Sequence, residues 1–160
     1  METMLNRAQR FLEHRRIAIV GVARDEKDFS RGVLRALQRR GYDVVPVNPA
    51  MGEVDGQRCF ARLMDVQPPV EAALVMTSRG RTGGVVEDCV RAGVRAVWLH
   101  RGAGPGAASP EAVEICRANA IDLVTDLCPY MALPGAGAMH GFHRVLRGVA
   151  CWFRGATTQG

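Results

Sequence analysis

Apolar residues in this chain come in short dense runs, separated by stretches where they recur every third or fourth position. Residues 17–22 (IAIVGV), 43–47 (DVVPV), 71–76 (EAALVM), 94–99 (VRAVWL) and 121–125 (IDLVT) read as five strands. Between the first two, Val33, Leu34 and Leu37 recur at helical spacing, and Gly41 stands where a helix stops. Val85, Val86, Cys89 and Val90, followed by Gly93, repeat that arrangement. Residues 110–120 read as a further helix, with Ser109 as N-cap and Pro110 in its first position. Residues 50–69 read as a crossover with little regular structure beyond a short helical stretch from Phe60 to Met64. Pro46 lies inside the second strand run, so that strand is expected to be short or irregular there.

Strands alternating with helices or crossovers predict an α/β fold. The expected form is Rossmann-like: a doubly wound, parallel five-stranded sheet between helices, in three α/β/α layers. Right-handed crossovers lead to an expected strand order of 3-2-1-4-5. Extra helices are expected at both ends. In residues 1–16, Leu5, Ala8, Phe11 and Leu12 share one face. In residues 139–154, Phe142, Val145, Leu146, Val149 and the pair Trp152 and Phe153 make an amphipathic face. That face is read as packing on its own domain, with a homodimer or protein-partner contact as the alternative. The whole chain, 1–160, is read as one domain, with a core over 14–134 and a helical extension over 135–160.

Composition narrows the class. With 48% hydrophobic and 23% charged residues, the chain is globular rather than disordered. Its apolar runs are far too short to cross a bilayer, so no membrane partner is expected. Residues 1–16 carry no apolar h-region, so no secretory signal is read there. The five cysteines are odd in number and lack C-x-x-C spacing, which fits reduced thiols and a cytoplasmic location. The formal charge of +5 favours anionic partners in general. Lys27 is the sole lysine among the basic residues. An arginine preference of that kind also follows from a GC-rich genome. No RNP-like or helix-turn-helix pattern supports nucleic acid.

In an open parallel sheet, ligands bind beyond the carboxyl ends of the strands, where the strand order reverses. Four segments are expected to meet there: Gly21-Val22-Ala23-Arg24, Pro46-Val47-Asn48-Pro49, Met76-Thr77-Ser78, and Trp98 to Gly102. The first carries the strongest chemistry. Gly21 and Ala23 are small enough to let a phosphate reach their backbone N–H groups. Arg24 adds a charge, and a helix beginning near Ser30 adds its positive end and a hydroxyl. The loop therefore reads as a nucleotide-phosphate cradle. It is not the dinucleotide fingerprint, because G-x-G-x-x-G is missing. No acidic residue ends the second strand to take a ribose hydroxyl; Asn48-Pro49 stands there instead.

These blocks carry a family resemblance. IAIVGVAR at 17–24, GYDVVPVNP at 41–49, Gly56, AGVRAVWLHRG at 92–102 and LVTDLCP at 123–129 stand in order and at matching spacing. Over residues 14–134 the chain resembles the small CoA-binding domain proteins, which are related to the N-terminal CoA-binding domain of succinyl-CoA synthetase. The family pattern at these places is VAVVGAS, GY-V-PVNP, G-x-x-Y, WLQ-G and MDRCP. The resemblance implies a Rossmann-like fold that binds CoA or an acyl-CoA without catalytic apparatus of its own. It implies that Gly21, Ala23, Arg24 and Ser30 hold the pyrophosphate, with Val22 among the cofactor-binding residues and Asn48 and Pro49 bordering the adenosine end. Thr77 and Ser78 would line the groove, and Trp98 would serve as core or as groove wall. The chain departs from the pattern at Ala23 (commonly serine), Thr77 (often arginine), His100 (glutamine) and Leu127 (arginine). It shows no counterpart of the synthetase's second domain or phosphorylated histidine, so the ligase reaction is not expected.

The resemblance also places Cys128 near the ligand edge, where a mixed disulfide with the CoA thiol is chemically open, although an inert buried thiol is the simpler reading. His140 and His143 are three apart, but no third metal ligand is evident. No catalytic residues and no metal site are expected. The expected role is a CoA-binding carrier, sensor or partner subunit. An NAD(P)-dependent oxidoreductase, and an interaction protein with a decayed nucleotide site, are the alternatives.

Overall fold

The molecule, a computed structural model, describes residues 1–100 and 106–134. In chain order it runs α1 (Met4–Phe11), β1 (Arg16–Val20), α2 (Phe29–Gln38), β2 (Asp43–Val47), β3 (Glu53–Val54), β4 (Gln57–Arg58), a 3-10 turn over Leu63–Asp65, β5 (Ala72–Val75), α3 (Arg79–Arg91), β6 (Ala96–Leu99), α4 (Pro110–Ala118), β7 (Asp122–Val124) and α5 (Pro129–Ala132). Local chemistry sets the helix ends. Thr3 caps α1 by accepting from the Asn6 N–H, and Ser109 caps α4 by accepting from Ala112 ahead of Pro110. Gly41 and Gly93, both at positive φ, turn the chain out of α2 and α3.

The main sheet is parallel throughout, in the order β2-β1-β5-β6-β7. Counted over its five strands this is 2-1-3-4-5, not the expected 3-2-1-4-5. The reason lies in Pro46. Its carbonyl points outward and accepts from the Phe60 N–H at 3.0 Å, while Val47 carbonyl faces β1 and accepts from Gly21. The nitrogen of Pro46 therefore also faces outward, where a missing N–H costs nothing. Such a strand fits a sheet edge and not the interior position that 3-2-1-4-5 requires. The strand is regular over all five residues, contrary to the expected irregularity.

Alternation along the strands divides the core into two faces. Ile17 and Ile19 pack with Phe11, Leu34, Leu37 and Trp98 under α1 and α2. Ala18 and Val20 pack with Val86, Cys89, Val97, Leu99 and Cys116 under α3 and α4. The result is the three-layer α/β/α fold expected. In α1, Ala8 and Phe11 turn inward as expected, but Leu5 stays exposed. The amphipathic stretch 139–154 lies outside the described residues.

The crossover after β2 holds more structure than its composition suggested. β3 and β4 form an antiparallel hairpin around Asp55 (φ 50°) and Gly56 (φ 76°). Two consecutive left-handed residues are the geometry that an Asp-Gly hairpin turn needs.

Candidate functional site

The five-strand order reverses between β1 and β5, and a cleft of about 720 Å³ opens there at the carboxyl ends of the strands. That volume is in the range of small-molecule sites. One wall is the turn after β1. Gly21 has φ 90°, and a Cβ there would stand 2.9 Å from Thr77 Cγ2 and 3.1 Å from the backbone of Met76 and Thr77. Only glycine lets the two strand ends approach so closely. Asn48 ties the next segment in. Its Nδ2 donates to Val22 carbonyl at 2.7 Å, and its Oδ1 accepts from the Ala50 N–H at 2.8 Å.

Seven of the expected residues line the cleft together: Gly21, Ala23, Ser30, Asn48, Pro49, Thr77 and Ser78. Three are placed elsewhere. Val22 is buried in the core. Arg24 reaches across to Ala50 carbonyl at 2.8 Å and stands outside the lining. Trp98 is core: it is 1% exposed, meets Phe11 edge-on at 5.3 Å, and donates from Nε1 to Leu127 carbonyl at 3.0 Å. Of the segment Trp98 to Gly102, the part beyond His100 lies outside the described residues. His100 rests against Phe29, which lines the cleft, at 5.4 Å between ring centroids, and burial lowers its pKa.

Two amides of the cradle are satisfied within the protein. Gly21 N–H donates to Val47 carbonyl, and Ala23 N–H donates to Ser30 Oγ, both at 2.9 Å. Helix α2 starts at Phe29, one residue ahead of the expected Ser30, because Asp28 is its N-cap. The Asp28 carboxylate accepts from both the Ser30 N–H and Oγ. Behind the loop, Arg31 is 4% exposed; its Nη1 donates to the carbonyls of Ala23 and Arg24. Its Nη2 is held by Asp55, which also pairs with Arg35. The hairpin turn thus braces the cleft loop through Arg31. These hydrogen bonds, chiefly from Arg35 and then Arg31, bring the Asp55 carboxyl from 3.8 to about 2.

Two charged lining residues, Asp28 and Arg81, escaped the sequence reading. Asp28 stands two residues before Ser30, in the position of a standard capping residue. Arg81 sits in the first turn of α3, whose opening residues Arg79-Gly80-Arg81-Thr82 are polar, so hydrophobic spacing signals that helix only from Val85 onward. Among the described residues, Arg81 forms no ion pair, and no group of three or more His, Cys, Asp or Glu could hold a metal. His140 and His143 lie outside the described residues. No helix among the described residues is long and apolar enough to cross a membrane.

Comparison with known proteins bears on what the cleft holds. A profile of the CoA binding domain family matches residues 15–134, most of the chain and all of the sheet. The chain belongs to the CoA binding domain family. Within that family's reach, the chain is similar to the uncharacterized protein YneT of Bacillus subtilis, with 27% identity over 114 residues, covering 71% of this chain and 82% of that one. It is also 24% identical over 79 residues to the ADP-forming acetate–CoA ligase of Methanocaldococcus jannaschii, covering 49% of this chain but only 11% of that enzyme. Among solved structures, a hypothetical protein from Pyrococcus horikoshii shares the fold at a TM-score of 0.72, with 24% identity, covering 80% of this chain and 87% of that one. The CoA binding domain assignment fits the fold, the strand-end cleft and the turn at Gly21.

Proposed function

We propose that this protein binds CoA or an acyl-CoA in the cleft between the β1–α2 loop and the start of α3. It would act as a carrier, sensor or partner subunit rather than through covalent chemistry of its own. One observation carries the reading: a family profile for CoA binding covers the same residues that build a cleft at the strand-order reversal. The residues suit such a ligand. Gly21 and Ala23 put little side chain on the cleft wall, Arg81 supplies positive charge, and Phe29, Met76 and Val85 supply apolar wall. The shared segment is a small part of the acetate–CoA ligase, so the reaction of that enzyme is not carried over. A nicotinamide cofactor fits less well. Asn48 stands where an acidic residue would take the ribose, and both ends of its amide are already bonded within the protein.

Melting temperature separates the readings. A ligand at a hundred times its dissociation constant adds about 2.7 kcal/mol, which for a domain of this size raises Tm by roughly 5–10 °C. CoA and acetyl-CoA are expected to give that rise, and NAD and NADP are not. A rise with NAD and none with CoA would support the oxidoreductase reading instead. No rise with any of the four would favour an interaction protein whose site has decayed.

A further inference from the structure

We propose that Arg31, Arg35 and Asp55 are positioning residues for the ligand. The carboxylate of the β3–β4 hairpin turn clamps two arginines of α2, and these set the shape in which the loop after β1 meets its ligand. The inference rests on the reading of the cleft as a CoA site and adds to it three residues that lie outside the cleft lining.

Residues 21–28 lie between β1 and α2 and belong to neither, so no helix or strand ladder fixes their backbone. Side chains hold it instead. Arg31 and Arg35 stand four apart in α2 and so share one face. Arg31 Nη1 donates to the carbonyls of Ala23 and Arg24, both at 3.2 Å, and Arg35 Nη1 donates to Glu26 carbonyl at 2.9 Å. Both arginines end on one group. Asp55 Oδ1 accepts from Arg31 Nη2, and the same carboxylate takes Arg35 through Nε at 2.8 Å and Nη2 at 2.9 Å. Three loop carbonyls are thus tied, through two guanidinium groups, to one residue of the hairpin.

The direction of those bonds prepares the loop for an anionic group. In a trans peptide the N–H points opposite to the carbonyl of the preceding residue. With the Ala23 and Arg24 carbonyls drawn to Arg31, the N–H groups of Arg24 and Asp25 face away from it. Both residues are exposed, and neither N–H has an acceptor among the described residues. Fold stability alone does not account for Arg31. Its side chain is 4% exposed, and its Nε has no partner among the described residues. A buried ion pair of this kind is often no more stabilising than apolar residues of similar volume. An apolar residue could not hold the two carbonyls.

Calorimetric titration of the full chain with CoA tests this, using the wild type, Asp55→Asn, Arg31→Met, their double variant and Tyr42→Phe, each checked for fold by circular dichroism. Tyr42 precedes β2, at the amino ends of the strands, and its hydroxyl donates to Leu12 carbonyl, so Tyr42→Phe removes a hydrogen bond remote from the cleft. Asp55→Asn and Arg31→Met are each expected to weaken CoA roughly tenfold. The double variant is expected to lose less than the two losses multiplied, because Asp55 acts in part through Arg31. Tyr42→Phe is expected to melt lower and bind as the wild type does. A second readout needs no ligand: in Asp55→Asn the amide signals of Arg24 and Asp25 should move in a nitrogen–proton correlation spectrum, while those of β7 stay in place. Wild-type affinity in Asp55→Asn or Arg31→Met, fully multiplying losses, unmoved Arg24 and Asp25 signals, or an equal loss in Tyr42→Phe overturns the assignment while leaving CoA binding in place. Should Arg31→Met not fold, Asp55→Asn set against Tyr42→Phe decides. A wild type that binds no CoA overturns the reading of the cleft itself, and this assignment with it.

Discussion

Ser30 Oγ accepts the Ala23 backbone N–H at 2.9 Å and so locks the loop after β1 onto the first turn of α2. Ser30 is 3% exposed, and removing its hydroxyl leaves the part-buried Ala23 amide without its protein partner. Ser30→Ala is expected to cost about 1–2 kcal/mol and to lower the melting temperature. Hydrogen exchange gives the sharper check. The Ala23 amide should lose protection in the variant while the amides of β1 keep theirs.

Asp55 gives a prediction in pH. Its carboxyl is held down at about 2 in the folded chain, chiefly by Arg35 and then by Arg31. A lowered pKa contributes stability that is fully present above the ordinary carboxylate range and lost as pH falls through the folded value. The window therefore runs from about pH 4 down to about pH 2. Asp55→Asn leaves the buried Arg31 without its countercharge, and is expected to cost about 1–3 kcal/mol at pH 7. Thermal melts of both proteins should show the gap between them shrinking as pH drops through that window. A gap that stays constant would mean that the ion pairs contribute little.

Gly21 should tolerate no side chain. Its φ of 90° is strained for any L-residue, and a Cβ would collide with Thr77 and the backbone of β5's end. Gly21→Ala is expected to destabilise the fold by about 1–3 kcal/mol and to narrow the cleft. Urea unfolding of the variant measures the first effect, and a CoA titration measures the second.

The described cysteines should separate cleanly by reactivity. Burial pushes the Cys89 thiol up to about 12 and the Cys116 thiol up to about 11, and both are shut away from solvent. Cys59 is buried as well, and its pKa is also raised. Cys128 alone of these four is partly exposed. Brief iodoacetamide treatment of the native protein, followed by peptide mass spectrometry, should alkylate Cys128 well before the other three. Comparable labelling of Cys89 in the native state would contradict the packing of α3 on the sheet.

Much of this architecture was legible in the sequence because strand runs and helix stops are local signals. The five main strands, Gly41, Gly93 and the Ser109-Pro110 pair all fell where spacing and capping chemistry put them. Strand order was missed because it is a long-range property, though Pro46 held the clue that β2 needs an edge. The hairpin at Asp55-Gly56 was missed although that dipeptide is a strong turn signal, because its strands are two residues each and too short for alternation to show. The cleft's strand-end residues were found by topology. Arg81 was not, because a polar first turn carries no hydrophobic spacing. Trp98 was included by its place near a strand end, but a side chain in a parallel strand points to a sheet face, and this one points into the core.

The outer edges of the sheet have a consequence for assembly. Along β2, Val44 carbonyl is taken by the Gln57 side chain and Pro46 carbonyl by Phe60, while Pro46 has no N–H to offer. At the far edge, the outward carbonyl of Leu123 in β7 accepts from Arg7 of α1 at 3.3 Å. These three outward carbonyls are thus taken by the chain's own groups. A neighbouring molecule finds little backbone there on which to add a strand. Among the described residues, strand addition along β2 and β7 is thereby discouraged.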